Sequence, residues 1–214
     1  GVTLYKALCE FTGKELDITE AVYKVKGTEG RILNQGVPGY QDYYPALVGG
    51  ILCLKGQPGK IDVEQLYTDE LKSFLEEHVT LVYSGISRQS GINNWEVYKG
   101  FFDRVPKIRK CMEEIAAVSF KAYEAIKNND FDELLKFIGA EGKERELLAT
   151  SITPYEVQEL YVMLMHELSY IGLKMCGAGG GGCFILTHQK EDKAKVYELV
   201  ERHGMKVLDF SIQK

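Results

Sequence analysis

The sequence predicts an α+β fold, and three observations carry that prediction. Apolar residues recur at helical spacing over long charged stretches, most clearly from Trp95 onward. Short apolar runs bounded by glycine and proline read as strands in both halves. The end of the chain reads strand, strand, helix, strand beneath long helices, which is a layered α+β arrangement.

The elements follow in order. Leu4, Leu8 and Phe11 mark one helical face, and Gly13 can end that helix. Asp17 with Glu20 opens a second helix through Ile18, Ala21, Val22 and Val25. Thr28 to Gly39 reads as a loop, and Tyr40 to Val48 as one or two helical turns. Gly49-Gly50 breaks that helix. Ile51 to Leu54 reads as a buried strand, Gly56 to Gly59 as a turn, and Ile61–Leu66 and Val79–Tyr83 as strands with a short helix between. A long amphipathic stretch runs from Trp95 to Asn128, interrupted at Pro106, and another helix covers Phe131 to Leu148. Thr153-Pro-Tyr-Glu156 combines a capping box with proline at the first helical position. Strands at Leu173–Cys176 and Cys183–Thr187, a helix at Asp192–His203 and a strand at Lys206–Ile212 complete the chain.

The totals exclude several function classes. The 214 residues are enough for a sizeable core. The net charge of −5, with both signs interspersed, argues against nucleic acid and anionic membrane surfaces. No apolar run reaches the length of a membrane-spanning helix. Five cysteines without a CxxC pair predict reduced thiols and a cytoplasmic setting. The histidines at 78, 166, 188 and 203 show no metal-ligand spacing.

Three stretches carry candidate chemistry. The first is Gly177-Ala178-Gly179-Gly180-Gly181-Gly182, followed by Cys183. It satisfies GxGxxG literally, but a strand follows where a dinucleotide site needs a helix. No Gly-Lys-Ser/Thr closes it as a Walker A loop. A hairpin alone needs fewer glycines, so the loop is expected to approach a ligand or another loop closely. The second stretch is Gly36 to Gly50, where Asp42 follows a Pro-Gly turn and starts a short apolar helix. Asp42 either caps that helix or orients a substrate hydroxyl and accepts its proton. The third is Val82 to Trp95, with three serines, Arg88 and two asparagines after a strand end. It reads as a site lining or as an ordinary polar loop.

Together these stretches resemble the GHMP kinases, and most of all their sugar-directed branch acting on heptose phosphate, galactose and fucose. Gly39-Tyr-Gln41-Asp42 through Gly50 resembles the G-x-Q-D segment of that branch. Leu81 to Arg88 is similar to its strand-plus-TG-x-x-R segment, with Ser84 in place of threonine. Lys174 to Gly182 resembles the C-terminal glycine loop. The resemblance covers essentially the whole chain and implies two domains: residues 1–88 as the C-terminal part of the GHMP N-terminal domain, and 89–214 as a ferredoxin-like C-terminal domain. It implies ATP and Mg²⁺ as cofactors, with ATP and acceptor in the cleft between the domains, and direct attack of a sugar hydroxyl on the γ-phosphate. Asp42 is then the base or orienter. Gly39, Gln41, Tyr44, Arg88 and Lys174 are acceptor-binding candidates, Glu29 is the Mg²⁺ candidate, and the loop Gly177–Gly182 supports the phosphates through backbone N–H groups.

The family's second motif, a glycine- and serine-rich loop around the ATP phosphates, would lie just before the helix near Gly1. The expectation is therefore an N-terminal half carrying that loop, without which this chain is inactive. The chain would then be a fragment, a split subunit or an inactive remnant, and a homo-oligomer is a further option. The alternative from another class is a non-catalytic sugar- or metabolite-binding module on the same scaffold. Such a module has no need of the Asp42 carboxylate.

Overall fold

The computed structural model describes residues 1–33, 39–87 and 90–214, with the backbone alone at 33 and 90–94. The described chain divides into two compact units. One comprises residues 1–68 with 212–214, the other residues 69–211.

The first unit starts with α1 (Val2–Thr12) and α2 (Ile18–Leu33). Gly13 ends α1 in the left-handed conformation. Its N–H donates to Glu10 O and that of Lys14 to Cys9 O, closing a Schellman cap. The carboxylate of Asp17 accepts from the Glu20 N–H at 2.8 Å and so starts α2 as the sequence predicts. α2 runs through Thr28–Leu33, where composition reads as loop; the Thr28 hydroxyl bonds back to Lys24 O and Glu29 finds a tertiary partner. The other part of the expected loop, 34–38, lies outside the described residues.

After α3 (Tyr43–Val48) comes a hairpin of β1 (Leu52–Gln57) and β2 (Lys60–Gln65), turning at Pro58-Gly59. The hairpin is half-buried to exposed, so the strand expected at Ile51–Leu54 is not a buried one. The core here is Val2, Val22, Val25, Tyr43 and Tyr44. Leu4, Leu8 and Phe11 do form one apolar stripe, but they are exposed, Phe11 at 89%.

The second unit contains α4 (Asp69–His78), β3 (Val79–Tyr83), α5 (Ser90–Phe102), α6 (Pro106–Lys127), α7 (Phe131–Glu146) and α8 (Tyr155–Glu167). β4 (Ile171–Met175), β5 (Cys183–His188), α9 (Lys193–Arg202) and β6 (Lys206–Leu208) follow. Pro106 begins α6 rather than kinking a longer helix, as its missing N–H allows. At α8 the capping position falls on Pro154 and no side-chain cap bond forms; Thr153 is buried and its carbonyl takes Gln158 instead. The last strand is three residues long, shorter than expected.

The four strands are antiparallel in the order β4-β5-β3-β6. Counted from β3, that is the 4-1-3-2 order of a ferredoxin-like βαββαβ unit. β3 pairs with β5 and β6 and so lies in the second unit, together with α4 before it. One sheet face packs Val82, Leu173, Phe184 and Leu186 against Leu160, Leu164 and Val196. On the other face Gly139 and Gly142 of α7 let that helix approach the β4 backbone. A Cβ on Gly142 would stand 1.9 Å from Leu173 O.

Candidate functional site

The glycine loop joins β4 to β5. Cys176 N–H donates to Cys183 O at 3.0 Å and closes the base of the loop. Gly177, Gly179, Gly180, Gly181 and Gly182 all have positive φ. Two of them also sit where a side chain has no room. A Cβ on Gly179 would lie 2.6 Å from Ile152 O, and one on Gly181 2.7 Å from Ile86 O. The same carbonyls hold the loop down: Gly180 N–H donates to Ile152 O at 2.8 Å and Gly182 N–H to Ile86 O at 2.9 Å. The close approach expected for this loop is thus an approach to two neighbouring loops of its own unit. The N–H groups of Gly180 and Gly182 are committed to them.

Ser84 fastens the arrangement. Its hydroxyl donates to Gly182 O at 2.8 Å and accepts from the Ile86 N–H at 3.2 Å, while its own N–H donates to Gly182 O at 2.9 Å. The segment after β3 and the glycine loop, far apart in sequence, therefore form one hydrogen-bonded body. Arg88 lies outside the described residues.

Lys174 on β4 points to α7, where its ammonium pairs with the buried carboxylate of Glu141. Arg145 binds the same carboxylate, with Nε at 3.0 Å. Burial works against the Glu141 charge, but the two cations carry its carboxyl below the usual range. Burial pulls the Lys174 ammonium down, opposed by Glu141. Lys174 is thus engaged by Glu141, a residue that spacing in the sequence did not single out.

In the first unit Asp42 stands at the N-cap of α3 with an exposed side chain. That side chain makes no cap hydrogen bond. Gln41 is exposed too, and its amide folds back over Gly39, leaving 1.9 Å between Oε1 and any Cβ placed there. Tyr44 is 4% exposed and packs in the core beside Tyr40, with ring centroids 6.3 Å apart. Burial raises its phenol first, then Tyr23 and Tyr40. Glu29 accepts from the Tyr43 hydroxyl at 2.5 Å, and that bond holds its carboxyl below the usual range. The Tyr43 phenol is raised by burial first, then by Glu29 and Asp42. Both carboxylates therefore act on one buried tyrosine, whose linking role the sequence did not reveal.

Among the described residues no helix is long and apolar enough to cross a membrane. Residues 122–204 match the family described as GHMP kinases C terminal. The chain is 27% identical over 185 residues to a bifunctional fucokinase/GDP-fucose pyrophosphorylase of Arabidopsis thaliana, covering 81% of this chain and 17% of that protein. Its fold resembles a putative sugar kinase from Campylobacter jejuni, with a TM-score of 0.71 and 22% identity over 100% of this chain and 60% of that one. It also resembles a Streptococcus pneumoniae phosphomevalonate kinase solved with phosphomevalonate and AMPPNP. There the TM-score is 0.73 and the identity 14%, over 97% of this chain and 65% of that one. The chain thus spans less than two thirds of these proteins. Residues 122–204 thus match the C-terminal part of the GHMP kinases, and the fold of the chain resembles that of solved sugar and phosphomevalonate kinases.

Proposed function

We propose that the chain is part of an ATP-dependent kinase that transfers the γ-phosphoryl group of ATP to a hydroxyl of a sugar or sugar phosphate. The observation that carries this reading is the glycine loop, held rigid against Ile86 and Ile152 inside the region that matches the family. A preorganised backbone suits phosphoryl transfer, which depends on positioning and charge stabilisation. The sugar acceptor rests on the fucokinase relative and on the sugar-kinase neighbour.

Asp42 is the proton acceptor in this reading. Its carboxylate is exposed and is not used as a helix cap. It would orient the acceptor hydroxyl and take its proton as that oxygen bonds to phosphorus and ADP leaves. Glu29, kept ionised by Tyr43, offers one hard oxygen ligand of the kind Mg²⁺ takes alongside nucleotide phosphates. Gly39 and Gln41 lie beside Asp42 in sequence and are exposed, so they are the first candidates to meet the acceptor. Tyr44 would shape this region from the core, and Lys174 would act through Glu141. The reading includes an N-terminal part supplying the ATP-phosphate loop. The exposed stripe Leu4, Leu8 and Phe11 on α1 supports a further segment packing there.

The test is phosphoryl transfer from Mg·ATP to a panel of hexoses, heptoses and their phosphates. This chain and the product of its full reading frame are assayed side by side. Asp42→Asn in the longer product should lower turnover by about 10²–10⁴-fold while acceptor binding by calorimetry changes little. Unchanged turnover would remove Asp42 from the mechanism. Turnover by this chain alone would remove the need for a separate phosphate loop. Sugar binding without transfer by either protein would favour a binding module.

A further inference from the structure

The glycine loop is bracketed by two cysteines, and the sheet register sets them face to face. β4 and β5 pair Ile171 with His188 and Met175 with Phe184, so the next rung is Cys176 with Cys183. The hydrogen bond from Cys176 N–H to Cys183 O, at 3.0 Å, confirms that rung. Residues directly opposite in an antiparallel pair put their side chains on the same face of the sheet. In a hydrogen-bonded pair the Cα atoms stand about 5.5 Å apart, within the range that a disulfide spans without backbone movement. Both residues are half-buried rather than enclosed, and neither is in a disulfide.

The thiolate is the nucleophile in thiol chemistry, and partial exposure gives the oxidant access to both sulfurs. The other cysteines have no cysteine across from them. Cys9 and Cys111 are buried in helices. Cys53 is half-buried and faces Glu64; burial pushes its thiol up, against the pull of Lys55 two residues away.

We propose that Cys176 and Cys183 form a peroxide-oxidisable thiol pair that closes into a disulfide across the base of the glycine loop. The Cys176 thiolate attacks one oxygen of hydrogen peroxide; the O–O bond breaks, and hydroxide leaves and is protonated to water. Cys176 is then a sulfenic acid. The Cys183 thiol loses its proton and attacks that sulfur. The S–O bond breaks, a second water leaves, and the S–S bond forms. Two thiols have lost two electrons and two protons, and the peroxide is reduced to two waters. A dithiol reductant reverses the change by thiol–disulfide exchange. The product is a covalent ring around Gly177–Gly182, with the body made by Ser84, Ile86 and Ile152 at its tip.

The test needs neither nucleotide nor acceptor, so it stands apart from the kinase reading. The whole reduced chain is exposed to graded hydrogen peroxide, quenched with iodoacetamide under denaturing conditions and digested with trypsin. Cleavage after Lys174 and Lys190 places both cysteines in one peptide. That peptide should pass from doubly alkylated to an unalkylated form two hydrogens lighter, and return with dithiothreitol. This should happen at peroxide concentrations that leave Cys53 alkylated. In Cys183→Ser the disulfide form should vanish, and dimedone should trap a sulfenic acid at Cys176. A peptide that stays doubly alkylated while Cys53 oxidises would overturn the proposal. So would a Cys176 that runs to sulfinic acid with Cys183 still alkylated.

Discussion

Substituting Gly179 with alanine separates two reasons for a glycine. Gly179 has φ +76°, and a Cβ there would stand 2.6 Å from Ile152 O and 2.9 Å from Ile152 Cα. Gly204, in the same unit, has φ +80° with nothing within 4 Å of its Cβ position. Gly204→Ala should therefore cost only the left-handed conformation, about 1–2 kcal/mol for a residue with a Cβ. Gly179→Ala carries that cost too. It must also push Ile152 away, disturbing the 2.8 Å bond from Gly180 N–H, worth about 1 kcal/mol. Overpacking against backbone adds about 1–3 kcal/mol more. The difference between the variants is then about 2–4 kcal/mol. With a urea m-value of about 2 kcal/mol/M, the middle of the usual range, Gly179→Ala should unfold about 1–2 M earlier than Gly204→Ala. The assay is urea unfolding of both variants followed by far-UV circular dichroism. Coincident midpoints would refute the claim that the loop is held by close approach to Ile152.

Other substitutions probe the neighbouring contacts. Ser84→Ala leaves Gly182 O its bond from the Ser84 N–H but removes the acceptor of the Ile86 N–H. It should cost about 1–3 kcal/mol and speed amide exchange at Ile86 and Gly182, with Ser84→Thr restoring both. Glu141→Gln leaves the Lys174 and Arg145 cations facing a neutral amide. Thermal unfolding should show a loss of about 3 kcal/mol, partly recovered by adding Lys174→Met. His188 is fully buried, its Nε2 2.8 Å from Thr80 Oγ1 and its Nδ1 2.8 Å from Gln189 O. Burial depresses its folded-state pKa, so the unfolded chain takes up the proton first. Stability should be full above about pH 6.5 and fall with decreasing pH, by at most about 1.4 kcal/mol per pH unit from this group. His188→Gln should flatten that slope in urea titrations at several pH values.

Much of the fold was legible because the local signals agree with the tertiary result. Val79–Tyr83 reads as a strand from its apolar run and is one to the residue. Its allegiance was not legible. The partners of β3 are β5 and β6, both a hundred residues or more downstream, and nothing local says which sheet a strand will join. α2 shows the opposite failure. Thr28–Leu33 looks like loop, yet tertiary contacts at Glu29 keep it helical.

The candidate site divides in the same way. Exposed groups such as Asp42 and Gln41 could be proposed from their motif, but Tyr44 and Lys174 could not be placed by it. One is taken into the core and the other into an ion pair with α7, and only packing decides that. The glycine loop is where sequence and backbone correspond most closely. Positive φ falls on Gly177 and on Gly179 through Gly182, and Ala178 is absent from the positive-φ residues. The letters GAGGGG thus follow the dihedral pattern residue by residue, as steric exclusion of Cβ requires. Conformation alone accounts for glycine at all five positions. At 179 and 181 the carbonyls of Ile152 and Ile86 would exclude a Cβ even if the dihedral allowed one. A ligand is therefore not needed to explain the number of glycines. What function has to explain is why the loop is pinned to the segment beyond β3. Ser84 fastens both sides with one hydroxyl, and a substitution at that residue would loosen the join without touching a glycine.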